Sequence, residues 1–307
     1  MRRGERGLAA VTAILIVAVA ASAATLMLAQ QSAMIDQTML VASRAQADQY
    51  ARAGLDWARG VLLEDTRTAG AVDSLGEPWA QPIAALPVER ALVAGAIADE
   101  QSKFNLNNLV NGTQKSPADM QALARLLASL GLAPELAEAV LDWIDPDSDL
   151  AGSHGAEDPY YLSLAKPYRA ANRSMVQVEE LYRVRGFDRA TVAKVKPYVT
   201  ALPDRTKVNV NTAPQVVLEA LLPEVPPQKI AAFVSTRVDK PLADAQKLAA
   251  WAKESPSGQV GDALDVRSSF FSVRIQVAQD DVELASDALL QRIPNGPPVI
   301  IWRRPRY

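Results

Sequence analysis

The sequence predicts an α+β protein: a long N-terminal helix, transmembrane in its first part, packs on an antiparallel sheet, and a large α-helical domain of helix-hairpin-helix units is inserted into that sheet. Three observations predict it. Leu8 to Ala29 is a run of 22 residues without a charge, helical periodicity continues to Val61, and strand-like segments flank a helical block from about 113 to 205.

Ahead of the apolar run Arg2, Arg3 and Arg6 outweigh Glu5, which puts the N-terminus in the cytoplasm and the rest of the chain outside it. A helix of that length reaches ~33 Å at about 1.5 Å per residue, close to bilayer thickness. Thr12, Ser22 and Thr25 fit there because a hydroxyl can bond back to a carbonyl of the preceding turn. The alternative is a cleaved secretory signal with Ala21-Ser22-Ala23 as its cleavage site. The uninterrupted helical pattern argues against it: no Gly or Pro occurs from Leu8 to Ala53, and Ile35, Met39, Ala42, Gln46, Tyr50, Ala53, Trp57 and Val61 recur at steps of three and four. The result is one continuous helix of ~80 Å, half in lipid and half laying that face on a folded domain.

Gly70, Gly76 and Pro78 punctuate the exit from the helix, and residues 88 to 110 read as strands. From Pro117 to about Leu202 the pattern is helical; Lys207 to Pro214 then reads as a strand running into a helix. Phe104-Asn105-Leu106-Asn107-Asn108 and Val208-Asn209-Val210-Asn211-Thr212 share an apolar-Asn alternation and bracket the helical block. This is expected where an insertion leaves and rejoins one sheet at neighbouring strand ends, since an Asn amide can satisfy backbone groups where a ladder stops. Residues 126–144, 181–199 and 218–234 each put a tight turn between two apolar-faced helices. Such modules can clamp DNA phosphate, and Arg183, Arg185, Arg189, Lys194 and Lys196 make the middle copy basic; the first and third copies lack basic turns, which favours packing units. Residues 268–279, 281–293 and 297–305, the last two joined through Pro294-Asn295-Gly296, return to strands and complete the sheet.

Composition narrows the function. Lys and Arg total 32 against 35 Asp and Glu, so there is no broad positive field and nucleic acid is not an expected partner. With no Cys, disulfides, thiolate ligands and thiol nucleophiles are excluded, and the lone His154 argues against a histidine-based zinc or catalytic site. The enzyme alternative is a hydrolase built on carboxylates, which would need two acids with separated pKa values facing each other across a cleft. Here the acids crowd into one loop, and no Gly-x-Ser-x-Gly elbow, Walker A loop or Gly-x-Gly-x-x-Gly occurs, so a non-enzymatic role is expected.

That loop, LDWIDPDSDLAGSHGAEDPYY, holds the most specific chemistry. Asp142, Asp145, Asp147, Asp149, Glu157 and Asp158 fall within 17 residues, and no Lys or Arg occurs between Arg125 and Lys166. Crowded carboxylates resist ionisation unless they are exposed or share a cation. The every-second-residue spacing of Asp145, Asp147 and Asp149 lets several oxygens converge from one turn, as in calcium loops, although the glycine and glutamate of an EF-hand are missing from their positions. The expected ligands are Asp145, Asp147 and Asp149 with Glu157 or Asp158, and Ca²⁺ is the expected cation because every donor is oxygen. Asp142 reads as a helix cap or a group behind the ligands, and His154 as a loop residue. The alternative is a solvated acidic surface loop.

The N-terminal segment resembles the type IV pilin and pseudopilin class, whose precursors carry a short basic leader ending in Gly that a prepilin peptidase removes. Gly7 followed by Leu8 matches. Most members have Glu five positions after the cut, where it is thought to pair with the terminal amine of the subunit above; Thr12 stands there in this chain. The branch that lacks this Glu is the minor pseudopilin K family of type II secretion systems. DWIDPDSD, GAEDPYY, KPYRAAN and EELYRVRGFD between Asp142 and Asp188, then FNLNNL and VNVNTAP, are similar to that family, while the C-terminal hundred residues resemble it only in outline. The resemblance implies a leader at 1–7, a transmembrane helix at 8–29, a pilin-like α/β domain split between 30–112 and 206–307, and an inserted helical domain at 113–205. It also implies calcium at the acidic loop and anchorage in the inner membrane with periplasmic C-terminal domains. Assembly with the minor pseudopilins I and J at the pseudopilus tip would serve protein export across the outer membrane. Thr12 and the bulk of the insertion both fit a subunit that caps an assembly. The competing reading is a DNA-uptake pseudopilin that uses the basic middle hairpin.

Overall fold

The structure, a computed structural model, describes residues 4–68, 72–252, 263–294 and 296–306, with side chains from Ala10 onward. Helix α1 (Gly4–Thr68) is unbroken over 65 residues, about 97 Å at 1.5 Å rise per residue. Its first half is exposed among the described residues: one 18-residue window averages a hydropathy of 2.4 and is 0% buried. Ser22 and Thr25 donate to the carbonyls of Ala18 and Ala21 at 2.8 and 3.0 Å, which removes their polar cost in an apolar medium. Gly7 and Leu8 lie in the first turns of α1, and Thr12 is on its exterior.

The second half of α1 packs on a five-stranded antiparallel sheet of order β1-β2-β9-β10-β11. The first two strands are β1 (Ile83–Val88) and β2 (Ala91–Asp99), and the last three are β9 (Phe270–Gln279), β10 (Val282–Gln291) and β11 (Val299–Arg306). Alternation along β9 turns Phe271, Val273, Ile275 and Val277 toward the helix. The helix meets them with Ala47, Ala51, Leu55, Ala58 and Leu62. That stripe lies one residue away from the expected face: Trp57 is 51% exposed, and Ala53 is also outside the core. Tyr50 and Val61 of the expected face are partly buried against this core, whereas Trp57, next to the closest approach, is turned aside. A Cβ on Gly54 would come within 3.1 Å of Ile275, so small residues carry this contact.

Between β2 and β9 the chain leaves the sheet and builds a separate helical body. It comprises α2 (Pro117–Ser129), α3 (Leu136–Ile144), α4 (Asp158–Leu162), α5 (Arg189–Val195), α6 (Gln215–Leu221), α7 (Pro227–Thr236) and α8 (Ala245–Trp251). Its single apolar core runs from Phe104 to Val266, well beyond the expected 113–205. Residues 206–252 and 263–266 therefore belong with the helices, since Val208, Val210, Ala213, Val217 and Leu218 are all buried in that core. The two Asn motifs do not bracket one insertion. β3 (Phe104–Asn105) pairs in parallel with β6 (Val199–Thr200), and β7 (Val208–Asn209) with β8 (Leu264–Asp265). Each motif thus opens its own unit, and the two units succeed one another along the chain. The asparagines do satisfy backbone: Asn107 bonds to Met175 and Leu202, and Asn211 to Leu242.

The helical body joins the sheet at the end far from the apolar half of α1. At the near end Asp280, in the turn between β9 and β10, accepts from Ser43 and pairs with Arg90. At the far end Arg292 reaches Asp65, ~33 Å further along α1 at 1.5 Å per residue. There Asp99, buried, accepts from Gln101 N–H, Thr212, Asn209 and Ser268, tying the exit from β2 to the entry to β9 and to the second helical unit.

Candidate metal centre

The short helix α3 buries Val140, Leu141, Trp143 and Ile144, and takes Asp142 into the core with them. It ends at Asp145 because Pro146 comes next and forces extended backbone (ψ 153) there. That break folds the loop back over the helix end until Glu157 precedes α4, whose first turn holds Pro159. Asp145 is 0% and Glu157 2% exposed. Oxygens of Asp145, Asp147 and Glu157 all lie within 4.8 Å of one another.

Two glycines let the loop lie this close. A Cβ on Gly155 would stand 2.1 Å from Asp142 Oδ2, and one on Gly152 would stand 2.4 Å from the Glu138 carboxyl. Glu138 accepts the N–H of His154, Asp142 accepts that of Ala151, and Arg185 donates to the carbonyl of Gly155 at 2.9 Å. Trp143, Tyr161 and Tyr168 pack ring to ring behind the loop at 5.3 to 6.2 Å and exclude water from that side.

Five carboxylate oxygens in this pocket are buried without a hydrogen-bond donor: Asp142 Oδ2, both of Asp145 and both of Glu157, with Asp145 Oδ2 held only by the ion pair to Lys115. Burial pushes Glu157 up to about 7, with the charges of Asp142, Asp145 and Asp147 adding to it. Burial likewise pushes Asp142 up to about 6 and raises Asp145 against the pull of Lys115. Asp147 moves the other way, lowered first by the N–H of Asp149. Buried carboxylate oxygens without donors are costly unless a cation satisfies them, and an all-oxygen set fits Ca²⁺.

Of the five expected ligands the fold brings three together. Asp149 is exposed and contributes its N–H to Asp147. Asp158 is committed elsewhere, accepting from Ala170 N–H and pairing with Arg169 at 3.3 Å, which fastens α4 to the segment after it. Two participants were not foreseen from the sequence. Lys115 of β5 (Gln114–Lys115) approaches Asp145 at 2.9 Å and Asp147 at 3.2 Å, and Asn172, at φ +44, donates to the Asp147 carbonyl while its own buried oxygen lacks a donor. Both lie outside the acidic run, so no local spacing announces them.

A second triad, Asp65, Asp73 and Glu77, also converges within 4.8 Å. Arg292 fills it, 2.8 Å from Asp65 and 2.6 Å from Asp73. Ser268 N–H donates to Asp73 and the indole of Trp79 to Glu77. Burial pushes Asp65 up to about 6, with Glu77 adding and Arg292 opposing.

The basic middle hairpin is spent largely on its own fold. Lys196 pairs with Glu179, Arg185 holds the acidic loop and stacks on Tyr160, and its first helix is a 3₁₀ segment.

Residues 102–204 match the family described as type II secretion system protein K. The type II secretion system protein K of Pseudomonas aeruginosa is 33% identical over 96% of this chain and 91% of its own length. That of Aeromonas hydrophila is 31% identical over 98% and 97%. The crystal structure of the GspK–GspI–GspJ complex from the enterotoxigenic Escherichia coli type 2 secretion system contains a chain that superposes with a TM-score of 0.74 at 26% identity, covering 88% of this chain and 99% of that one. These likenesses give the DNA-uptake reading no support, and the family they share is one of structural subunits. This chain belongs to the type II secretion system protein K family and is a minor pseudopilin.

Proposed function

We propose that this minor pseudopilin acts without enzymatic activity as the capping subunit of the pseudopilus tip, assembled with the minor pseudopilins I and J. A single observation carries the reading: the helical body, residues 104–252 and 263–266, sits at the end of the sheet remote from the apolar half of α1. A further subunit stacked in register above would meet that body instead of a free sheet end, whereas a terminal subunit needs contacts only below. Thr12, in place of the usual acid, supports the same reading. α1 anchors the chain in the inner membrane with the N-terminus cytoplasmic and the folded part periplasmic, after a prepilin peptidase cuts between Gly7 and Leu8. Calcium held by Asp145, Asp147 and Glu157 orders the loop between α3 and α4.

Affinity isolation of the full-length protein from membranes, with mass spectrometry of its N-terminus and companions, tests this. The expected result is a mature N-terminus at Leu8 and co-purifying minor pseudopilins I and J. A mature N-terminus near Ala24 would remove the anchor and the assembly reading with it, and long filaments of this subunit alone would end the capping role.

A further inference from the structure

We infer that Lys115 is a built-in competitor for the cation: its ammonium group closes the acidic loop in the metal-free protein and is evicted when a divalent cation binds, releasing the hairpin that carries it. This rests on the calcium reading above and concerns how that site is regulated.

The ammonium group sits where the every-second-residue motif would hold a cation. It is 2.9 Å from Asp145 Oδ2, 3.2 Å from Asp147 and 3.4 Å from the carbonyl of Asp149. While it stays, Asp145 Oδ1, the two oxygens of Glu157 and Asp142 Oδ2 have no donor, and Asp145 Oδ2 has only its ion pair with Lys115. Calcium takes about six to eight oxygens, so a calcium ion that recruits Asp147 must take its oxygens from Lys115. Two cations sharing the same carboxylates also repel each other strongly in a pocket shielded from water.

The surroundings make the exchange feasible. Lys115 is 32% exposed at its side chain, and a flexible four-carbon stem lets the ammonium group swing into water. Its hairpin, β4 (Val110–Asn111) against β5, is held by a two-residue ladder around Gly112 at φ +62, and so short a ladder is marginal without outside contacts. The loop contacts of Lys115 are such contacts. The next residue, Ser116, caps α2 and bonds through its N–H to Leu109, so release stops at that cap.

Calcium titrations of the full-length protein in detergent, monitored by calorimetry and thermal unfolding, test the exchange with wild type, Lys115→Met and Lys115→Arg. Lys115→Met should bind Ca²⁺ at least ten-fold more tightly than wild type and melt lower without it, while Lys115→Arg keeps the wild-type affinity. Hydrogen exchange on wild type, which needs no variant, should quicken at residues 110–115 when calcium is added. Equal or weaker binding by Lys115→Met, or slower exchange at 110–115, overturns the inference but leaves the calcium site standing. If none of the three proteins binds calcium, the calcium reading falls and the inference falls with it.

Discussion

Two carboxylate triads, one in each body of the protein, draw their oxygens within 4.8 Å of one another, and they differ in which oxygens the protein itself satisfies. Asp65, Asp73 and Glu77 close the core between α1 and the sheet, and each has a donor from the protein: Arg292 for the two aspartates and the Trp79 indole for the glutamate. Arg292 itself lies over the Phe271 ring at 4.7 Å, which builds it into the apolar core. Asp145, Asp147 and Glu157 have only the ammonium group of Lys115, which reaches the aspartates and leaves both Glu157 oxygens orphaned. Proximity is common to both; unsatisfied oxygen is confined to the second. The first triad is therefore a finished structural joint, and the second leaves oxygens that the proposed calcium ion would satisfy.

The largest expected effect lies in the finished joint. Arg292→Ala leaves Asp65 and Asp73 buried and unpaired, which should cost about 3–5 kcal/mol at pH 8, read from urea unfolding of the full-length protein in detergent. The loss should shrink toward pH 5. Asp65, pushed up to about 6 in the folded protein, favours folding fully below its unfolded value of 3.8, and that contribution is lost as pH rises through about 6. Protonation at pH 5 thus relieves the orphaned charge. An equal loss at both pH values would show that Asp65 is not the group Arg292 neutralises.

Calcium should separate the triads next. At 100 times its dissociation constant it stabilises the wild type by about 2.7 kcal/mol; Asp145→Ala/Asp147→Ala should abolish that gain, and Asp73→Asn should keep it. A wild-type melting temperature indifferent to calcium and chelator would erase the distinction, as would a calcium response that tracks Asp73.

How far each region was legible in the sequence obeys the same division. The uncharged run from Leu8, the C-terminal strands and the acidic run are local signals, and the structure holds them where local rules place them. The partners of those acids are not local. Lys115 and Asn172 come from opposite flanks of the loop, and Arg292 comes from the end of the sheet, so no spacing rule finds them. The Asn motifs were visible as a repeat, yet which strand each would pair with depended on Val199 and Leu264, far along the chain. Within α1 the helical period holds and the buried stripe is shifted in phase by one residue, with Tyr50 and Val61 of the expected face still packed against the core; periodicity weighs a large residue such as Trp57, while the close approach at Gly54 leaves no room for one.

That phase can be tested at Gly54, with the smallest effect expected of the three. In an exposed helix Gly→Ala stabilises by roughly 0.5–1 kcal/mol through backbone entropy. At Gly54 the new Cβ would meet three atoms of Ile275 at 3.1 to 3.3 Å. A flexible neighbour could yield, but Ile275 is only 4% exposed and lies close to both glycines: it pairs across the sheet with Gly95, where an added Cβ would also stand 3.1 Å from Ile275 Cδ1. Overpacking costs typically about 1–3 kcal/mol, so Gly54→Ala should lose on the order of 1 kcal/mol instead of gaining. Ile275→Val removes the Cδ1 that both glycines accommodate. Alone it should cost about 0.5–1.5 kcal/mol, whereas in the Gly54→Ala background, where it removes one of the three close atoms and leaves the two Cγ atoms at 3.1 and 3.3 Å, it should cost less, a coupling that a double-mutant cycle reads directly. If Gly54→Ala proves more stable than wild type, Ile275 has room to move, and close approach is not what sets the face that α1 turns to the sheet.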